Sequence, residues 1–155
     1  MTVTQRPNRR RRRRTRSLWT AEQIKNRLVD RTDYPFADDP AVHGKWASVD
    51  FVRTIEEFRA GEKQWRGSLF LTELNFLDDG EMERAFTSGA RRQTDSSNTW
   101  TQGLVLSKEG QTASAYTIKT LSGKSYLFFE WKSGDYIYGH RKPYYYVLAQ
   151  PGAAN

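Results

Sequence analysis

The chain contains no cysteine. A disulfide framework, a thiolate nucleophile and a Cys-based zinc site are all excluded, and a reducing, cytoplasmic setting is the expectation. No run of 18 or more apolar residues occurs, and no apolar segment follows the N-terminal charges. A membrane span and a secretory signal are therefore not expected, and a soluble protein is. Only two histidines are present, His43 and His140. With a carboxylate such as Asp135 they would make a sparse metal set, but their spacing matches no ligand motif. Also missing are a Gly-x-Ser-x-Gly elbow, a phosphate-cradling glycine loop and a dinucleotide fingerprint. No reaction is identified, so the expectation is a non-enzymatic protein without a cofactor.

The 155 residues are enough for one domain with a proper core, and aromatic residues make up 14% of them. The formal net charge of +7 divides unevenly along the chain. Residues 1–20 hold eight arginines (Arg6, Arg9, Arg10, Arg11, Arg12, Arg13, Arg14 and Arg16) and no acid. Removing those eight from the 25 basic residues leaves 17 against 18 acids, a net of −1. The basic excess thus belongs to an arm, residues 1–16, which lacks apolar residues to bury and is expected to be disordered when free. Adjacent guanidiniums bind phosphate oxygens and release counterions, so RNA or DNA is the expected partner of Arg9 to Arg14 and Arg16. A solubilising terminus and a localisation signal are the other readings. No aromatic residue is interleaved in the run, so the arm is not expected to stack on bases or read sequence.

After the arm the pattern changes. Thr20 and Gln23 have capping-box spacing, Trp19 and Ile24 are placed for a hydrophobic staple, and Ile24 and Leu28 share a face. These predict a short helix within residues 17–33, ended by Asp33-Tyr34-Pro35. Residues 34–40 read as a connector, 41–150 as the main domain and 151–155 as a tail. In the domain the period is two, and seven strands are predicted: Gly44 to Val52, Gly67 to Leu77, Glu81 to Phe86, Thr99 to Ser107, Ala113 to Leu121, Ser125 to Lys132 and Tyr144 to Ala149. Asp78-Asp79-Gly80, Lys108-Glu109-Gly110 and Ser122-Gly123-Lys124 are hairpin material. Ile55 to Gln64 reads as a helical turn or lid, and Thr87 to Asn98 as a loop. Seven or eight strands in meander order, without a helix among them, predict a mainly β protein: one antiparallel up-and-down barrel.

Gly44-Lys45-Trp46 on the first strand, with Arg141-Lys142 before the last, resembles the calycin superfamily of lipocalins and fatty-acid-binding-protein relatives. That resemblance implies a barrel plug, in which a basic side chain, Arg141 or Lys142, covers Trp46 by cation-π attraction and excludes water. The phrases Tyr34-Pro35-Phe36, Asp39-Pro40, Val49-Asp50-Phe51, Glu130-Trp131-Lys132-Ser133-Gly134-Asp135-Tyr136 and Lys142-Pro143-x-Tyr145-Tyr146-Val147-Leu148 resemble, over about Leu28 to Leu148, a small domain of bacterial regulatory proteins that include β-lactam-sensor-type membrane metallopeptidases.

Most of Trp46, Trp65, Trp100 and Trp131 is expected to be core. If a cavity remains, Trp100, Glu130 and Tyr145 are the candidate pocket for a small hydrophobic or aromatic ligand, with Glu130 perturbed if it alternates inward. Asp38-Asp39 and Asp78-Asp79 precede Pro40 and Gly80, so turn chemistry accounts for both carboxylate pairs. The leading function is a binding or sensing barrel tethered to a polyanion by its arm. A structural protein whose arm packages nucleic acid is the alternative, and a small hydrolase the third reading.

Overall fold

A computed structural model describes residues 29–132 and 141–151. Nine antiparallel strands form one sheet: β1 (Gly44–Val52), β2 (Leu71–Phe76), β3 (Met82–Ser88), β4 (Arg91–Asp95), β5 (Thr99–Thr101), β6 (Leu104–Ser107), β7 (Thr112–Leu121), β8 (Lys124–Trp131) and β9 (Tyr144–Ala149). Their order is β4-β3-β2-β1-β9-β8-β7-β6-β5, so each strand pairs with its sequence neighbours except at β4/β5, and the first strand pairs with the last. The sheet curls into a half-barrel. Its two edge strands are joined by only three residues, run in the same direction, and are approached by a single bridge from Glu81 to Thr99.

β1 and β9 have the bounds the sequence predicts. Nine strands replace seven or eight for two reasons. Gln102-Gly103 turns the expected Thr99 to Ser107 strand into the β5–β6 hairpin, with Gly103 at φ 85°. Within the expected Thr87 to Asn98 loop, Arg91–Asp95 pairs with β3 although all but Asp95 of its residues are exposed. A strand with neither face buried carries no period-two signal. The predicted N-terminal helix also needs correction. Val29 to Asp33 is not helical; the Asp30 amide instead donates to the Gln111 carbonyl (2.8 Å). The rest of that predicted helix, and the arginine arm, lie outside the described residues. The only described helical elements are two 3-10 turns, Ile55–Glu57 and Asp78–Gly80.

The concave face buries Trp46, Leu71, Leu74, Phe76, Met82, Trp100, Val105, Tyr116, Leu127, Phe129, Tyr146 and Leu148. A second cluster lies on the convex face of β1, β9 and β8, where Val52, Tyr126, Phe128, Val147 and Ala149 pack under Phe58, Ile55 and Ala60 from the β1–β2 connection. Leu127 and Phe129 thus face one cluster, and Tyr126 and Phe128 the other. This is why the two apolar runs of the C-terminal stretch look continuous: their strands are covered on both sides. The predicted helical turn at residue 55 exists, but its apolar side chains cover the back of the sheet.

Asp50 fastens that cover. A bulge at Val49 shifts the β1–β9 register. The fully buried Asp50 carboxylate accepts from the amides of Phe51 (2.8 Å), Gln64 (2.8 Å) and Trp65 (2.9 Å). Three backbone donors satisfy the ion without a cation.

Candidate ligand site at the open end

The two ends of the half-barrel differ. At the end where β1 begins, the segment before β1 lies across the opening. Ala37 donates to Thr101 Oγ1 (2.7 Å) and accepts from the Gln102 amide (2.8 Å), and Phe36 packs edge-on against Trp100 (5.1 Å between centroids). Trp46 and Trp100 are each 1% exposed, and their Nε1 atoms donate to the carbonyls of Val42 and Leu77 (both 2.9 Å). Gly80 has φ 83°, and a Cβ there would meet Phe36 Cδ1 and the Trp100 oxygen at 3.0 Å, so this closure requires glycine. Tyr116 donates to Asp39 Oδ2 (2.8 Å) from inside the core, and burial pushes its phenol up. On the rim, His43 Nε2 lies 2.6 Å from Asp38 Oδ1. Donating to Asp38 raises the imidazole above its ordinary 6.5.

At the other end β1, β3, β6 and β8 finish and β2, β7 and β9 begin. Aromatic residues line the rim. Phe51 contacts Trp65 (5.1 Å), Tyr144 (5.2 Å) and Tyr146 (4.5 Å), Phe70 stacks on Phe86 (4.8 Å), and Trp131 packs edge-on against Tyr146 (5.2 Å). Trp65, Phe70 and Tyr144 remain exposed, at 39%, 46% and 38%.

Inside this rim is a cavity of about 140 Å³ walled by Val105, Gly110, Phe129 and Trp131 and by the polar side chains of Arg84, Asn98, Ser107, Thr112, Ser114 and Lys132. Period two explains how they meet. Arg84 precedes Phe86 on the concave row of β3, while Thr112 and Ser114 continue the row of Tyr116 on β7. Arg84 lies over the Phe86 ring (4.8 Å) and donates to Asp95 Oδ2 from Nη2 (2.6 Å) and Nε (3.1 Å). Burial opposes ionisation of Asp95, but the bonds from Arg84 and Ser97 outweigh it and hold the carboxyl below its ordinary range. The Arg84–Asp95 pair is neutral as a unit, and the cavity's other cation, Lys132, is paired with Asp30. Ser107 Oγ accepts from the Gly110 amide (3.1 Å). Asn98, Thr112 and Ser114 are mostly buried, and among the described residues their side chains have no hydrogen-bond partner, but their polar atoms stay open to the cavity; the one sealed side-chain atom without a partner is Ser48 Oγ. Three such side chains facing one cavity give it donors and acceptors that water or a polar ligand can use.

The candidate residues taken from the sequence do not come together. Trp46 is core at the closed end, whereas Arg141 and Lys142 are exposed just before β9, beyond the opposite end of β1. Six residues of strand, roughly 20 Å, separate Trp46 from Val52, the partner of Tyr145. Among the described residues no cation lies over Trp46. Trp100 is also closed-end core. Glu130 and Tyr145 pair across β8 and β9 on the convex side, where Glu130 Oε1 accepts from the Ala115 amide (2.8 Å) and burial, then Glu130, raise the Tyr145 phenol. Lys132, which also lines the cavity, bonds Asp30 Oδ2 (2.9 Å) and the Ala113 carbonyl (2.8 Å) and lies 3.8 Å from Glu130 Oε1. His140 and Asp135 lie outside the described residues, and among the described residues no group of three metal-ligating side chains occurs. The cavity residues themselves went unnoticed in sequence. The available signal was Thr112-x-Ser114, polar residues on a row that farther along turns aromatic.

No protein-family model, no curated protein and no solved structure matches this chain. Among the described residues no helix is long and apolar enough to cross a membrane.

Proposed function

We propose that this protein is a calycin-like, non-enzymatic binding module whose open-end cavity takes a small polar ligand and whose arginine arm, Arg9 to Arg14 with Arg16, tethers it to nucleic acid. The observation that carries the ligand reading is the cavity itself, where Asn98, Thr112 and Ser114 offer unused donors and acceptors beside Phe129 and Trp131. A cavity of about 150 Å³ holds a molecule the size of benzene. The volume here thus suits a single small ring with polar substituents. The calycin-like reading rests on the meander order, the pairing of the first strand with the last, and a concave cavity. The arm reading rests on sequence, through the polyanion affinity of consecutive arginines.

The test has two parts. Amide chemical shifts of the full chain are followed during titration with small neutral ring compounds. Saturable shifts at Asn98, Thr112 and Ser114 are expected, and their absence across a varied set defeats the ligand reading. Binding of RNA and DNA across a salt series, with the full chain and a chain beginning at Ser17, tests the arm. A steep salt slope present only in the full chain is expected, and equal slopes overturn the tether.

A further inference from the structure

The near-neutral total of the domain conceals a division of charge between its two ends. Around the closed end lie Asp38, Asp39, Asp78, Asp79 and Glu81 against the cations Lys45 and Lys124. Around the open end lie Arg53, Arg59, Lys63, Arg66, Arg91, Arg92, Lys108, Arg141 and Lys142, with Glu56, Glu57 and Glu62 as the acids of the β1–β2 connection and Glu109 in the β6–β7 turn. Several of these cations are engaged: Arg53 with Glu57 (3.4 Å), Arg92 with Glu73 (3.1 Å), and Arg59 with backbone carbonyls. Among the described residues Arg66, Arg91, Arg141 and Lys142 are exposed and form no ion pair. The exposed rings of Trp65, Phe70 and Tyr144 sit among these cations. Phe51 touches both Trp65, edge-on, and Tyr144, stacked, so two exposed rings share one partly buried ring as their support.

A rim that is both cationic and aromatic, around a cavity with free donors and acceptors, has the chemistry of one class of polymer. Cations track a phosphate backbone, exposed rings stack on unpaired bases, and a polar cavity reads a base edge. A duplex offers the phosphates but keeps its bases stacked on one another. The acidic far end would also turn a polyanion toward the open end.

Resting on the reading of the cavity as a ligand site, we infer that the open end is a single-stranded nucleic-acid interface. Trp65 and Tyr144 stack on bases, Arg66, Arg91, Arg141 and Lys142 hold phosphates, and one unpaired pyrimidine enters the cavity to meet Asn98, Thr112 and Ser114. A pyrimidine is favoured by size, since its single ring matches the volume and a purine exceeds it. This interface is distinct from the arm: the arm binds any polyanion, whereas the open end requires exposed bases.

The experiment measures binding of the full chain to a 12-nucleotide oligo-uridine and to an RNA duplex of the same length at one moderate salt concentration. Trp65→Ala and Tyr144→Ala variants are measured in parallel, and amide shifts are followed on addition of free uridine. Tighter binding of the single strand is expected, with each variant losing about tenfold in single-strand affinity and little in duplex affinity. These two positions are exposed, so the variants should fold, and their melting temperatures check this. Arg141→Ser with Lys142→Ser should lower single-strand affinity and flatten its salt dependence. Equal affinity for single strand and duplex, with equal losses or none in the variants, overturns the interface and leaves the arm as the only nucleic-acid element. If uridine shifts Asn98 and Ser114 while the oligomer shows no single-strand preference, the cavity remains a small-molecule site and the nucleic-acid interface is wrong. If uridine shifts nothing and the preference is absent, this interface falls, and the cavity reading then rests on the wider set of ring compounds.

Discussion

The two ends of the half-barrel use tryptophan in opposite ways, although the closed end also leaves the Phe36 ring 44% exposed over Trp100. At the closed end Trp46 and Trp100 are buried and each indole N–H is satisfied by a backbone carbonyl. At the open end Trp65, Phe70 and Tyr144 are exposed, though Phe51 and Phe86 hold them in place. The residue types are the same and the energetic consequences are not. A ring that fills a sealed site contributes to stability, whereas one already in water contributes little until something covers it.

The largest test of this contrast is truncation. Trp46→Ala should cost about 3 to 5 kcal/mol of unfolding free energy, as emptying a large core site does. Trp65→Ala should cost less than about 1 kcal/mol, since its ring is more than a third exposed. Chemical denaturation of both variants checks the difference. Similar values would erase the distinction between a sealed and an open end.

Asp50→Ala comes next. It leaves three amides without their acceptor and frees the connection that covers the convex face, so a loss of about 2 to 4 kcal/mol is expected. Asp50→Asn should recover part of this, because a carboxamide oxygen still accepts. If Asp50→Ala melts like the parent, the connection is held by Phe58 and Ile55 alone. Gly80→Ala should follow with about 1 to 3 kcal/mol, because it combines a positive φ with a Cβ 3.0 Å from Phe36 and from the Trp100 oxygen. Its expected signature is local, with faster amide exchange in residues 36–43 than in β8. Uniform acceleration would show that the closed end does not open separately.

How much of this was legible in the sequence follows from burial. β1 and β9 could be bounded because glycine, proline and dense apolar residues mark them. β4 could not, since Arg91 to Thr94 expose both faces and resemble any polar loop. The predicted helix does not extend over Val29 to Asp33 because local capping signals say nothing of a distant backbone partner, and Asp30 finds one at Gln111. The sequence leaves the face of Glu130 open for a geometric reason. Glu130 and Tyr145 alternate with inward-facing neighbours, and a shift of one residue moves a side chain to the opposite face. Asn98, Thr112 and Ser114 become a group only when β7 and the β4–β5 crossing are brought together across the curled sheet.

The smallest expected effect lies on the closed rim, and its sign is fixed by the pair at His43. The hydrogen bond to Asp38 raises the imidazole pKa above its ordinary 6.5, so the stability it supplies is fully present below that value and is lost as pH rises through the raised one. Asp38 behaves conversely. Its pKa is lowered from 3.8, first by the His43 hydrogen bond, so its contribution is present above 3.8 and lost as pH falls through the lowered value. The pair therefore stabilises most between about 3.8 and 6.5 and weakens toward alkaline pH. Both groups are solvent-accessible, so screening keeps the effect below those of the core substitutions. Melting temperatures of the parent and of His43→Gln from pH 5 to pH 9 test it. The parent should lose part of its advantage over the variant across that range. Parallel profiles would show that His43 is held by its contact with Trp100 (5.4 Å) and that its charge contributes nothing to keeping this end closed.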